Sequence, residues 1–368
     1  MNPNELQALI DRLPRARLLQ YPTPLDEVPR FARALAAERA PRILLKRDDL
    51  TPITGGGNKA RVLEFFVGEA LAQGADVLVA GGGVAQSNHA RACGAVARKF
   101  GMKPVMVLRG GGHHSEGTPQ GNLLLDKLLD VELRFISPEQ LADGGRFGLS
   151  GFMDEAAEEY RRLGHTPYVI KSSPFPPGPV GYVAATMELR QQLEERGVDG
   201  PVRLYAPSTG GTQAGLMLGA EALGLPWRVI GASPSPVTVE AAGEQIARVA
   251  GWTAERLGLA TRITAETVEH LGGRYAGDAY GAPTGQSMEA LRLLALTEGT
   301  IVDPVYNAKA LAALVDQVRS GAIGADETVV YVNTGGFPGL FAYAEELAAY
   351  CDAAPEMSFR GALRSARG

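Results

Sequence analysis

A single lysine, Lys59, ends the stretch TPITGGGNK, behind Gly55, Gly56, Gly57 and Asn58. A lysine after glycines is ordinarily a solvated charge. Held in a fixed, desolvated position, its amine is neutral and nucleophilic and can form a Schiff base with a carbonyl. Three more glycine turns follow apolar runs and open helical patterns: AGGGVAQSNHAR, APSTGGTQAGL and VNTGGFPGL. Glycine lets the backbone approach a ligand closely, and amides at a helix N-terminus favour an anion. The turn STGGT adds the hydroxyls of Ser208, Thr209 and Thr212, a set that suits phosphate. Any one such turn is accounted for by a tight strand-to-helix connection. Three in one chain, one of them loaded with hydroxyls, point to a phosphorylated ligand. None is a GxGxxG fingerprint, and GGGNKA lacks the GK[ST] ending of a nucleotide-triphosphate loop, which disfavours a nucleotide-binding protein.

The elements that must hold these turns alternate. ADVLVAGGG (75–83), KPVMVLRG (103–110) and VELRFI (131–136) read as strands, with helical patterns at 88–101 and 122–130 between them. A second block follows: a helix over 153–164, a strand over 166–172, a proline-rich loop SSPFPPGPVGY over 172–182, and a helix over 183–197. Strand, glycine turn and helix then recur over 202–224 and 327–347, with a further strand at 227–236. The segment after Lys59 carries Val62, Leu63, Phe65 and Phe66 at the spacing of an amphipathic helix. This rhythm predicts an α/β fold with twisted, mostly parallel sheets and helices on both faces.

With 368 residues, 45% of them apolar, the chain is long enough for two domains. The net charge of −5 is mixed along the sequence, so neither nucleic acid nor a membrane surface is an expected partner. Two cysteines give no disulfide framework, and Cys93, in an apolar helical run, reads as a core thiol. The N-terminal segment lacks a signal-peptide pattern and no apolar run is long enough to span a bilayer, so a cytoplasmic protein is expected.

TPITGGGNKARVLEF resembles the lysine segment of fold-type II pyridoxal-phosphate enzymes, in particular the group of 1-aminocyclopropane-1-carboxylate (ACC) deaminase and D-cysteine desulfhydrase. YPTPL, LLKRDDLT, QSNHAR, GNLLLDKLL, GYVAATMEL, GGTQAGL, AYGAPT, TEGTIVDPVYNAKAL and NTGGFPGLFAY follow in the family's order over most of the chain. The resemblance implies that Lys59 carries pyridoxal 5'-phosphate covalently and that Asn88 bonds its 3′ oxygen. It places Thr209, Gly210, Gly211 and Thr212 around the phosphate, and Asn307 and Thr334 near the pyridine nitrogen. Ser87, Tyr280 and Tyr306 join Lys59 as catalytic residues, and Ser87, Asn88, His89 and Tyr280 as substrate-binding ones. From its position alone, Asn88 is also a plausible helix N-cap, and His89 a wall residue rather than a metal ligand; no metal site is expected. His113 and His114 lie in a glycine-rich loop that is either solvated or substrate-facing. The resemblance further implies a large cofactor-binding domain from 1–59 and 179–368, a small inserted α/β domain from 60–178, the cofactor between them, and a homodimer.

The chain departs from the pattern at four places. Val62 stands where the family usually has a second lysine, aimed at the phosphate. The turn before QSN is one residue longer, which could displace Ser87. The loop SSPFPPGPVGY replaces a stretch rich in glycine and serine. Asn307 stands where ACC deaminases carry a glutamate and D-cysteine desulfhydrases a neutral threonine. A carboxylate strengthens the electron sink that ring opening needs, so the neutral residue favours α,β-elimination and D-cysteine desulfhydrase chemistry on a small amino acid. The rivals are ACC deamination, sulfo-lyase chemistry on cysteate, β-replacement, and a cofactor-binding scaffold without turnover.

Overall fold

Short runs of valine, leucine and isoleucine bounded by glycine and proline are the pattern of strands covered on both faces. In the computed structural model, which describes residues 1–84, 86–110, 118–143, 148–171 and 174–353, they form two sheets. Strands are numbered in chain order. The first sheet holds β1 (Leu25–Glu27), β2 (Arg42–Arg47), β7 (Val202–Pro207), β8 (Trp227–Ala232), β9 (Glu269–His270) and β10 (Thr328–Asn333), in the order β1-β2-β10-β7-β8-β9. Only β1 runs antiparallel to its neighbour. The second sheet is all parallel: β3 (Val77–Gly81), β4 (Lys103–Arg109), β5 (Glu132–Ile136) and β6 (Pro167–Ile170), in the order β5-β4-β3-β6.

The helix Lys59–Ala72 lies between the sheets. Val62, Leu63, Phe66 and Val67 share one core with Leu44, Leu204 and Val330 of the first sheet and Leu78, Ala80 and Met106 of the second. The amphipathic pattern predicted one solvated face. The helix is instead buried nearly all round, and Arg61 and Glu64 are both 0% exposed. Two sets of partners make this tolerable. Arg61 pairs with Asp48 at 2.8 Å and Glu188 at 2.9 Å. Glu64 accepts from Arg15, from the amides of Leu18 and Leu19, and from the Tyr21 hydroxyl. Periodicity shows the spacing of polar groups but not their partners, so it does not place these charges in a core.

Two further expectations change. The proline-rich stretch ends sooner than predicted: the helix Val180–Glu194 starts directly after Pro179, whose fixed φ suits a helix entrance. Asn88 is the first residue of the helix Asn88–Lys99 rather than its cap. Ser87 takes that role, its hydroxyl accepting from the amide of Ala90 at 3.2 Å. Cys93 is buried and Cys351 exposed, both as free thiols. Ser172 and Ser173 of the proline-rich loop, and His113 and His114, lie outside the described residues.

Candidate active site

The glycines before Lys59 are required by the backbone. Gly55, Gly56 and Gly57 all have positive φ, at 76°, 67° and 118°. A Cβ on Gly56 would stand 1.9 Å from the carbonyl oxygen of Asp49. The Gly57 carbonyl accepts from the Thr51 hydroxyl, and the Asn58 amide donates to the Thr334 carbonyl at 3.0 Å. The loop is thereby fastened to the end of β10, and the next residue, Lys59, starts the central helix at a fixed point.

Lys59 opens onto a cavity of about 530 Å3. Its walls come from the carboxyl ends of strands in both sheets, where open α/β sheets place their ligands. The turn after β3 supplies Gly82, Gly83 and Ser87, and β4 ends in Arg109. The turns after β7 and β8 supply Thr209 and Ser235, and Tyr280 and Tyr306 close the far side. The longer turn before QSN still delivers Ser87 to the wall.

The amine of Lys59 donates to no group among the described residues, and burial lowers its pKa from 10.5 to about 8. His89 lines the same cavity; burial and the nearby Lys59 push its pKa down to about 3, so the ring is neutral. Its nitrogens lie 3.6 Å from the Cys93 sulfur. No cluster of potential metal ligands exists among the described residues. The hydroxyls of Tyr280 and Tyr306 are hydrogen-bonded, with their rings edge-to-face at 6.0 Å and 77°. Burial raises the pKa of both, that of Tyr306 to about 12, so both phenols stay protonated.

The STGGT turn leads into the helix Gly211–Leu223, whose first amides have no acceptor within the helix. Gly210 has φ 131°, and a Cβ there would meet the Cβ of Pro174 at 3.2 Å, so the turn sits tightly at the cavity edge. The Thr209 carbonyl accepts from Gln245 Nε2 at 2.9 Å, which braces the turn. Thr212 is buried, its hydroxyl accepting from Asn58 Nδ2 at 3.1 Å, so the STGGT turn and the lysine loop are directly joined. Val62 is 3% exposed, in the core between the sheets rather than in the cavity wall. These features fit pyridoxal phosphate: a partner-free amine of low pKa for the aldehyde, and open helix amides beside hydroxyls for the phosphate.

Asn307 is 0% exposed and fully engaged. Its Nδ2 donates to Asp303 Oδ1 at 2.6 Å and to the Gly335 carbonyl at 2.7 Å. Its Oδ1 accepts from the amide of Thr334 at 2.9 Å and from the Thr334 hydroxyl at 3.3 Å. The side chain thus pins the turn 334–336 to the start of the helix Asn307–Arg319.

Arg109, Gln245, Ser235 and Pro174 line the cavity but were not singled out in the sequence. Arg109 could have been: it ends a strand just before GGG, and it forms no ion pair among the described residues. Gln245 carries no such signal, because one glutamine in a long helical pattern looks like any solvated residue.

Comparison with known proteins bears on the same residues. A family model described as pyridoxal-phosphate dependent enzyme matches residues 16–335. A Burkholderia ambifaria 1-aminocyclopropane-1-carboxylate deaminase is 38% identical over 91% of this chain and 98% of its own length. A Pyrococcus abyssi protein provisionally named for the same activity is 35% identical over 94% of this chain and 98% of its own. A solved structure described as an ACC deaminase homologue superposes with a TM-score of 0.82 at 34% identity, covering 95% of this chain and all of the other. The matched span takes in the lysine loop, the phosphate-suited turn and the tyrosine pair, and the chain belongs to the pyridoxal-phosphate dependent enzymes, within the group of ACC deaminases and their homologues.

Proposed function

We propose that this enzyme is an α,β-eliminating lyase. It acts on a small amino acid with a leaving group at Cβ, in the manner of a D-cysteine desulfhydrase, and yields a 2-oxo acid and ammonia. The observation that carries this reading is Asn307. No carboxylate occupies that position, and both N–H bonds of the amide are spent on Asp303 and Gly335. The neighbouring Thr334 hydroxyl is neutral as well. An electron sink supported by neutral groups is adequate where a good leaving group departs as soon as the Cα proton is taken.

Bound pyridoxal phosphate supplies a conjugated sink for the electrons of the substrate's Cα–H bond. The residues of the chain do the rest. Lys59 would hold the cofactor, and its Nζ, once released from it and in the unprotonated form that its lowered pKa makes accessible, takes the Cα proton. Asn88 Nδ2 would donate to the cofactor's 3′ oxygen. Thr209, Gly210, Gly211 and Thr212 would surround the phosphate with amides and hydroxyls, since Val62 brings no charge. Ser87 orients the substrate carboxylate, with His89 a neutral wall beside it. Tyr280 and Tyr306 share one hydrogen bond, so one phenol proton remains to be offered to the leaving group as its bond to Cβ breaks. The released enamine hydrolyses to the 2-oxo acid and ammonia.

Residues 1–59 and 179–368 are proposed as the large domain and 60–178 as the small one, because every strand of each sheet falls within one of these ranges. Assembly as a homodimer is part of the same proposal, and light scattering of the purified protein tests it.

ACC deamination is the second reading, favoured by the 38% identity to a relative with that name. The cofactor-loaded protein should release 2-oxo acid and ammonia from β-chloro-D-alanine or D-cysteine, and little from ACC. Ready ammonia release from ACC, with none from the β-substituted alanines, would overturn the elimination reading.

A further inference from the structure

We propose that Asn122 is a positioning residue for the cofactor. Through one hydrogen bond it locks the Asn88 amide with its nitrogen turned toward the cofactor's phenolic oxygen. The inference rests on the role given above to Asn88.

Asn122 is 0% exposed and sits in the helix Gly121–Leu128, against the helix Asn88–Lys99. Its Oδ1 accepts from Arg91 Nε at 2.8 Å. Its Nδ2 donates to the Gln86 carbonyl at 2.9 Å and to Asn88 Oδ1 at 2.8 Å. A guanidinium can only donate and a backbone carbonyl can only accept. These two partners fix which end of the Asn122 amide is oxygen and which is nitrogen, because the reversed amide would set donor against donor and acceptor against acceptor. The remaining Nδ2 hydrogen then requires an acceptor, so the Asn88 atom that meets it must be oxygen.

The Asn88 amide nitrogen is therefore on the other side, where it finds no acceptor among the described residues. It faces the turn 334–336: a Cβ on Gly336 would stand 2.7 Å from it. That turn holds the lysine loop through the Asn58 amide. The far end of the chain is anchored on the lysine loop too, since Arg91 donates to the Gly56 carbonyl at 3.0 Å and to the Thr54 carbonyl. The loop that presents Lys59 and the amide that would meet the phenolic oxygen are thus set by one sequence of hydrogen bonds, Arg91 to Asn122 to Asn88. A core-filling asparagine would need none of this polarity.

A donor to the phenolic oxygen favours the state in which that oxygen carries more negative charge. For the lysine–cofactor linkage this is the state that has lost its proton. The lock should therefore lower the pH midpoint at which the bound cofactor changes colour. The ionisable groups facing this region are Lys59, His89, Arg91, Cys93, Asp303, Tyr280, Tyr306 and Asp126, whose carboxyl burial raises to about 7; none of them is altered in the variants below, and the carboxylate that Asn122→Asp adds is measured by itself in the Asn88→Ala background.

The test is a pH titration of the visible band of substrate-free, cofactor-loaded protein. Asn88→Ala removes the donor and should raise the midpoint by about one to two pH units, the value of a hydrogen bond to a charged group. Asn122→Asp can no longer donate, so it turns the Asn88 nitrogen inward and its oxygen outward; it should raise the midpoint at least as much. In the Asn88→Ala background, Asn122→Asp can act only through the field of its new carboxylate, so its shift there should be clearly smaller than when Asn88 is present. A shift with Asn88→Ala and none with Asn122→Asp overturns the lock and leaves the Asn88 role standing. No shift with either overturns both. Equal shifts from Asn122→Asp in both backgrounds also overturn the lock. If Asn122→Asp does not fold, Asn122→Ala replaces it, with the cofactor dissociation constant as readout. It should weaken binding several-fold when Asn88 is present and not when Asn88 is alanine, and equal weakening in both backgrounds refutes the proposal.

Discussion

The amine of Lys59 should be reactive at a pH where ordinary lysines are inert. Burial lowers its pKa from 10.5 to about 8. At pH 7.5, an amine with that pKa is roughly one-quarter unprotonated, whereas a solvated lysine is unprotonated about once in a thousand molecules. The unprotonated fraction is therefore enriched on the order of 250-fold. Only that fraction attacks an aldehyde, so capture of pyridoxal phosphate by the apoprotein should accelerate up to about pH 8 and then level off. The sign follows from the shift: a lysine with a lowered pKa is charged below it and gains nothing more above it. The assay is the pH dependence of the capture rate, followed by borohydride reduction and peptide mapping. Mapping is essential because burial also lowers Lys309 to about 8. Lys309 donates to the carbonyls of Pro234 and Ala276 and does not line the cavity, so it should not be labelled. A capture rate that climbs without a plateau to pH 10, or label on any other lysine, would refute the reasoning.

Arg61→Met should destabilise the protein by about 3–5 kcal/mol in chemical denaturation, because it strands Asp48 and Glu188 in the core with Lys46 as their remaining cation; a loss below about 1 kcal/mol would count against a tightly coupled network. The pair holds the pKa of both Asp48 and Glu188 below the ordinary carboxylate range. Its contribution is then present above the unfolded pKa values and fades as pH falls through the folded ones, so the gap between wild type and Arg61→Met should narrow in acid. Thr209→Val, which removes a hydroxyl from the proposed phosphate cradle, should weaken cofactor binding about tenfold by equilibrium dialysis, and Thr212→Val should do the same and also release Asn58. Arg109→Ala should raise KM for the amino-acid substrate with little change in kcat, since a cation at the mouth of the cavity contributes to binding in the ground and transition states alike.

The sequence was informative wherever chemistry demands a residue type in a local context. The three glycines before Lys59, the hydroxyl-rich turn before Gly211 and the strand-turn-helix rhythm are all short-range patterns, set by φ preferences, helix amides and the period of side chains. From them the α/β fold, the lysine and the phosphate-suited turn could be read. Tertiary structure decided whatever depends on partners distant in the chain. Arg61 and Glu64 look like the wet face of a helix, and only the fold supplies the buried carboxylates, tyrosine and amides that let them sit between two sheets. Asn88 read as the helix cap, and only the backbone geometry gave that role to Ser87 and made Asn88 the first residue of the helix. Asn122 and Gln245 carry no local mark at all. Their meaning comes from which atoms face them across the fold, because an amide has no preferred orientation until a donor-only or acceptor-only neighbour imposes one.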